Sequence, residues 1–329
     1  MTAASGAEPV RALVTRAWPK GTQDRLAQVC EATFRDPDTA MTETEWMEAA
    51  TRYDVILPTV SDSIPAGFYD AAKGKVRLLA NYGVGYNHID VAAAEAAGIT
   101  VTNTPGVLTD CTADLAMGLL LAAARRLGEG ERELRAGRWD GWRPTHLIGH
   151  KVAGATLGII GFGRIGQAMA QRAHHGFGMK VVFQNRSRVA PELAAQYGAT
   201  QLASVAEVAE VSDFLSLHCP GGADTRHLIS TDIFAAMKPG AILINTARGD
   251  VVDEDALFAA LNTGHLGGAG LDVYQGEPKL DPRFLKHENL VLAPHLGSAT
   301  GGTRAAMGHR AIDNLEAFLK GDTPPDKIV

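Results

Sequence analysis

The chain has 329 residues, 46% of them hydrophobic and 21% charged, with a formal net charge of −6. Its length predicts roughly two domains, and the acidic balance, without a Lys/Arg run able to form a basic stripe, argues against a nucleic-acid partner. Cys30, Cys111 and Cys219 are widely separated and form no CxxC, which suggests neither a disulfide framework nor a zinc site. No run of about 18 apolar residues occurs and MTAASGAEP has no apolar leader, so the expectation is a cytoplasmic protein with no membrane partner.

Residues 11–17 (RALVTRA) read as a first strand and 21–32 as a helix with Leu26, Val29 and Cys30 on one face. Thr42 and Glu45 have capping-box spacing at the start of a helix, which leads to a second strand at 54–57. A third strand is expected at 77–80 and a fourth at 100–102, and this alternation predicts parallel β/α construction. The loop Asn81-Tyr82-Gly83-Val84-Gly85-Tyr86 leaves the third strand at its carboxyl end, where ligands sit in open α/β sheets. Its glycines equally suit a plain turn. Asn103-Thr104-Pro105-Gly106 is a break. After it, 113–126 (ADLAMGLLLAAARR) is a strongly apolar helix, read as buried at a domain or subunit junction. Residues 137–154 form a loop carrying Trp139, Trp142 and His146, with the tryptophans read as packing anchors.

TLGIIGFGRIG at 156–166 is the strongest local signal. An apolar strand runs into Gly161, Gly163 and Gly166 at the GxGxxG spacing, an amphipathic segment follows at 165–173, and a second strand is expected at 180–184. The first glycine permits a tight turn, the second lets backbone approach a pyrophosphate, and the third packs helix on strand. The helix N-terminus offers free N–H groups to phosphate. Where a ribose-binding carboxylate would stand, the chain has Asn185-Arg186-Ser187-Arg188, whose donors suit a 2′-phosphate. A solvated basic loop is the bland alternative.

Further strands are expected at 213–217, 241–245, 269–273 and 290–293, with a helix opening near Asp253. The last three strands deliver Arg248, Glu277 and His295 at or just past their carboxyl ends, so one cleft could gather them. Taken singly, each also reads as a surface or turn residue. A helix at 300–320 closes the chain, and no repeats or low-complexity segments stand out.

At NYGVGYNHID, VTNTPGVLTDCTADLA, LGIIGFGRIG, INTARGDVVDEDAL, GLDVYQGEP and LAPHLGSAT the chain resembles the D-2-hydroxyacid dehydrogenase family, and within it the glyoxylate/hydroxypyruvate reductases. The resemblance implies an α/β fold of two doubly wound parallel-sheet domains. A Rossmann cofactor domain (104–297) is inserted into a flavodoxin-like substrate domain (1–103 and 298–329), and closure would exclude water from the site. It implies His295 as general acid, with Glu277 bonded to its imidazole and favouring the charged form. Arg248 would hold the substrate carboxylate, with Val84, Gly85, Ser298 and Trp142 as further substrate contacts, Trp142 reaching a neighbouring subunit. Coenzyme contacts would come from Thr109, Gly161, Gly163, Arg164, Ile165, Gly166, Asn185, Arg186, Ser187, Cys219, Pro220, Thr225, Thr246, Ala247, Arg248, His295 and Gly297, and Asp272 would orient the nicotinamide carboxamide.

Two departures from the family pattern matter. Asn185 replaces the Asp of NAD-preferring members, which implies NADPH as the preferred coenzyme, NAD remaining possible. His174-His175 add a residue to the helix after the glycine motif and unsettle the register toward Asn185. The expected function is reduction of a small 2-keto acid by a homodimer. Glu277 speaks against a formate dehydrogenase, where glutamine stands. A phosphoglycerate dehydrogenase and a nucleotide-sensing corepressor on the same scaffold remain the competing readings.

Overall fold

The computed structural model describes residues 9–329, and the first eight, which carry most of the segment read above as lacking a leader, lie outside the described part. The chain divides into two compact units. One comprises the described residues up to Leu108 with Ala299–Val329, the other Thr109–Ser298.

The first unit is a five-stranded sheet of β1 (Arg11–Val14), β2 (Glu31–Phe34), β3 (Val55–Leu57), β4 (Leu78–Ala80) and β5 (Thr100–Thr102), all parallel in the order β2-β1-β3-β4-β5. This is the flavodoxin-like winding. Because side chains alternate across a strand, Leu13, Ile56 and Leu79 pack with Trp46 and Phe68 on one face. Val14, Leu57 and Ala80 pack with Leu26, Ile312 and Leu315 on the other. Both faces are covered, as a parallel sheet requires. The closing helix Gly301–Leu319, N-capped by Thr300, belongs to this second face. The Thr42–Glu45 capping box forms as expected. One expectation is corrected: the first helix stops at Val29, Cys30 turns extended, and Glu31–Phe34 pairs alongside β1 instead of continuing the helix. As an edge strand, half of whose residues stay exposed, it lacks the apolar run that marks the central strands.

The second unit is a seven-stranded parallel sheet of β6 (Thr156–Ile160), β7 (Lys180–Gln184), β8 (Ala199–Gln201), β9 (Phe214–Leu217), β10 (Ile242–Asn245), β11 (Gly268–Leu271) and β12 (Leu290–Leu292). Its order β12-β11-β10-β9-β6-β7-β8 is the Rossmann winding, with the strand order reversing between β9 and β6. The helix Thr109–Ala124 buries Ala113, Ala116, Leu120 and Ala124 with Leu157, Ile159, Ile242 and Ile244, so its apolar character is satisfied by the sheet of its own unit. Strand β8 was not expected from the sequence.

The helix Arg164–Gln171 runs into one π turn, Arg172–Gly176, which contains His174-His175. Strand β7 then pairs with β6 from Thr156 opposite Lys180 to Ile160 opposite Gln184, which delivers Asn185 beside the glycine turn. The His174 imidazole fills the space over Gly198, where a Cβ would lie 2.3 Å from the ring.

Candidate active site

Each glycine of the turn has its own reason. Gly161 has φ +92°, and a Cβ there would lie 2.6 Å from the Cys219 amide nitrogen. At Gly166 a Cβ would lie 2.2 Å from the Gly161 carbonyl. Gly163 differs: nothing in the protein lies within 4 Å of its would-be Cβ, so its bareness leaves open space before the helix. That helix has no side-chain cap at Gly163. An unblocked helix N-terminus fits a pyrophosphate, and Arg164 and Ile165 open the helix there.

Asn185 joins this turn to the next loop. Its Oδ1 accepts from the Phe162 amide at 3.1 Å, and its Nδ2 donates to the Ser187 carbonyl at 3.0 Å and to Ser187 Oγ at 3.2 Å. A carboxylate could accept the first bond and a bond from the Ser187 hydroxyl, but could not donate to the Ser187 carbonyl. Arg186, Ser187 and Arg188 are exposed, and neither arginine has an ion-pair partner among the described residues. Across the switch point, Cys219 is buried and Pro220 exposed, and Thr225 Oγ1 donates to the Pro220 carbonyl, tying down that loop.

His218 directly follows β9, with Nε2 2.9 Å from Ser216 Oγ, and burial pushes its imidazole down to about 4. The folded chain therefore stays neutral there while the unfolded chain takes up a proton below its ordinary value of 6.5. Stability present at neutral pH is lost as pH falls from about 6.5 toward 4, since only the unfolded state gains the proton. Denaturation midpoints of His218→Gln should fall less than those of the wild type across that window. Parallel acid profiles would show that His218 does not titrate this way.

Three neighbouring strands carry the acid–base groups. At the end of β10, Asn245 is 1% exposed; its Oδ1 accepts from the Ala247 amide at 3.0 Å and its Nδ2 donates to the Arg248 carbonyl at 2.9 Å. This Asx turn, a type the sequence signals by Asn at a strand end, aims Arg248. Thr246 Oγ1 beside it is buried without a hydrogen-bond partner. Arg248 is half-buried, and burial pushes its guanidinium below the ordinary value, with the charge of Glu277 opposing that shift. Gly249 presses on the next loop so closely that a Cβ would lie 1.9 Å from the Tyr274 carbonyl carbon. Positions of Arg248 and Glu277 are thereby linked.

Glu277 Oε1 accepts from the Tyr274 amide at 2.9 Å, and Oε2 lies 2.8 Å from His295 Nδ1. Burial alone would raise the Glu277 carboxyl; the bond to His295, its charge, the Tyr274 amide and Arg248 together hold it below its ordinary value. His295 itself sits at φ +57°, an uncommon backbone state for a histidine. The turn is held from beneath by Asp272, 1% exposed. The His295 amide donates to the Asp272 carbonyl, and the Leu296 and Gly297 amides donate to its two carboxylate oxygens at 2.6 and 2.8 Å. Thr112 Oγ1 donates to the Gly297 carbonyl at 3.0 Å. Burial raises the Asp272 carboxyl, against the two amides and the charge of His295. Fixing the His295 turn is the work this geometry gives Asp272, and GLDV in the sequence carried no sign of it. Ser298 and Thr109 stand at the two ends of this unit.

In the other unit, Asn81 donates to the Gly83 and Gly85 carbonyls at 3.0 and 3.1 Å, and Asn103 donates to the Val84 carbonyl at 2.9 Å. With those carbonyls tethered, the Val84 and Gly85 amides are left as donors. Sequence reasoning named the amides but missed both asparagines. Trp139 and Trp142 are 52% and 82% exposed. His146 pins the loop, its Nε2 2.9 Å from Glu133 Oε2. Among the described residues no His/Cys/Asp/Glu group could hold a metal ion, and no helix is long and apolar enough to cross a membrane.

Residues 117–297 match the family described as D-isomer specific 2-hydroxyacid dehydrogenase, NAD binding domain. The chain is 46% identical to a glyoxylate reductase of Thermococcus litoralis over 286 residues, 86% of this chain and 85% of that one. It is 38% identical to a glycerate dehydrogenase of Hyphomicrobium methylovorum, covering 94% and 96% of the two chains. Among solved structures it resembles an NADPH-dependent glyoxylate/hydroxypyruvate reductase of Sinorhizobium meliloti in complex with NADP and malonate, at a TM-score of 0.85 and 34% identity over 98% and 97% of the chains.

Proposed function

The chain belongs to the D-isomer specific 2-hydroxyacid dehydrogenase family, and from that premise we propose that it is an NADPH-preferring reductase of small 2-keto acids such as glyoxylate and hydroxypyruvate. It is an oxidoreductase that uses a nicotinamide coenzyme. The observation carrying the proposed chemistry is the 2.8 Å pair of His295 Nδ1 and Glu277, beside the Arg248 turn on the adjoining strand.

When bound, the coenzyme supplies a hydride to the keto carbon. Arg248 holds the substrate carboxylate: a planar guanidinium matches it with two parallel bonds and polarises the neighbouring keto oxygen. His295 delivers the proton to the keto oxygen. With Nδ1 committed to Glu277, Nε2 is the ring nitrogen left to present a proton. Glu277, held in its ionised form, keeps that imidazole oriented before transfer.

For coenzyme preference the supporting observation is the Asn185 loop, with two unpaired arginines and no carboxylate to repel a 2′-phosphate. A homodimer is proposed on the exposed apolar side chains Leu134, Trp139, Trp142 and Ile148, which a second copy would cover. A sedimentation mass of a single chain at micromolar concentration would rule it out. The function itself is tested by coenzyme oxidation with glyoxylate, hydroxypyruvate, pyruvate and phenylpyruvate, each with NADPH and NADH. Fast NADPH-linked turnover of the two small acids is expected. Coenzyme binding without turnover of any keto acid would instead identify a nucleotide sensor.

A further inference from the structure

Gln201 ends β8, the edge strand of the Rossmann sheet, opposite Phe183. Its side chain spans the whole loop that follows β7. Oε1 accepts from the Val189 amide at 2.9 Å, while Nε2 donates to the Ser187 carbonyl at 3.2 Å and lies 3.4 Å from the Asn185 carbonyl. Asn185 Nδ2 donates to the same Ser187 carbonyl. Two amide side chains thus clamp one five-residue loop between them, and the exposed Arg186, Ser187 and Arg188 project from the clamped backbone.

We propose that Gln201 is a positioning residue for coenzyme selection: it touches no ligand, and by fixing the 185–189 backbone it presents Arg186 and Ser187 to the 2′-phosphate of NADPH. The inference rests on the proposed NADPH preference. An unclamped loop would have to order itself on binding, a cost borne only by the coenzyme that uses the loop. NADH, whose ribose carries no phosphate, makes no such demand. Neutrality matters too: an amide supplies an acceptor and donors at once, whereas a carboxylate in its place would face two carbonyls.

Titration calorimetry of the full chain with NADPH, NADH and 2′,5′-ADP tests this on the wild type, Arg186→Ala, Gln201→Met and Gln201→Glu. Expected are tighter binding of NADPH than NADH by the wild type, and a selective loss of NADPH affinity in Arg186→Ala. Gln201→Met, which keeps length and apolar packing but no hydrogen bonds, should weaken NADPH and 2′,5′-ADP about tenfold and NADH less than about twofold. Gln201→Glu should lose discrimination at neutral pH and regain part of it, relative to wild type at the same pH, as acid restores an O–H donor. The inference is overturned if both Gln201 variants keep the wild-type preference, or weaken both coenzymes by one factor, which is the signature of a merely structural role. A wild type that prefers NADH would remove the coenzyme reading as well. Failure confined to the Gln201 variants would leave that reading standing.

Discussion

His295→Asn is expected to lower keto-acid reduction about 100- to 10,000-fold, the usual contribution of a general acid, while changing coenzyme affinity by less than about twofold. Asparagine is chosen because His295 sits at φ +57°, where Asn is well tolerated and Ala is not. His295→Ala should lose as much turnover and also destabilise the fold by about 1 kcal/mol through the left-handed backbone. The two variants separate the proton from the turn that carries it. Steady-state rates with glyoxylate, coenzyme titration and thermal melts suffice to check this. Turnover near wild type in either variant would remove His295 from the mechanism.

The pH dependence follows from the same pair. Glu277, held below its ordinary carboxylate value, keeps its charge, and the stability it confers, until the pH falls through that lowered value. Reduction should therefore be sustained on the acid side while Glu277 keeps its charge, and be lost as its protonation weakens the bond to His295.

Much of this site was legible because buried parallel strands are written as apolar runs with polar residues where they end. TLGII before Gly161, ILIN before Arg248 and LVL before His295 each announce a strand and the residue it delivers. Edge strands do not write themselves so plainly. Glu31–Phe34 and Ala199–Gln201 cover one flank only, and with β8 went Gln201, the clamp of the coenzyme loop. Nor can sequence show what a side chain does for backbone it does not adjoin. Asp272 stands 23 residues from His295 in the chain, yet its side chain holds that turn through the Leu296 and Gly297 amides. The π turn at Arg172–Gly176, with His174 packed over Gly198, is a further feature that no local pattern announces.

Arg248→Lys should cost about 100- to 1,000-fold in kcat/KM for glyoxylate, although charge is conserved, because two charge-assisted bonds in fixed geometry become one from a point donor. Both parameters should suffer: KM rises with the loss of ground-state grip on the carboxylate, and kcat falls because the keto oxygen is no longer polarised in register with the arriving proton. A substrate without a carboxylate, such as glycolaldehyde, supplies the control. Wild type should reduce it poorly, and the lysine variant should lose less on it than on glyoxylate, since only the polarisation of the carbonyl, and no carboxylate clamp, is there to be lost. The surroundings sharpen the outcome. Burial already works against the charge at this position, and an ammonium gives up its proton far more readily than a guanidinium under the same burial. The residual activity of Arg248→Lys should consequently decline at a lower pH than that of the wild type. Equal losses on glyoxylate and glycolaldehyde would mean that Arg248 supports the fold of the β10 turn and does not grip the acid.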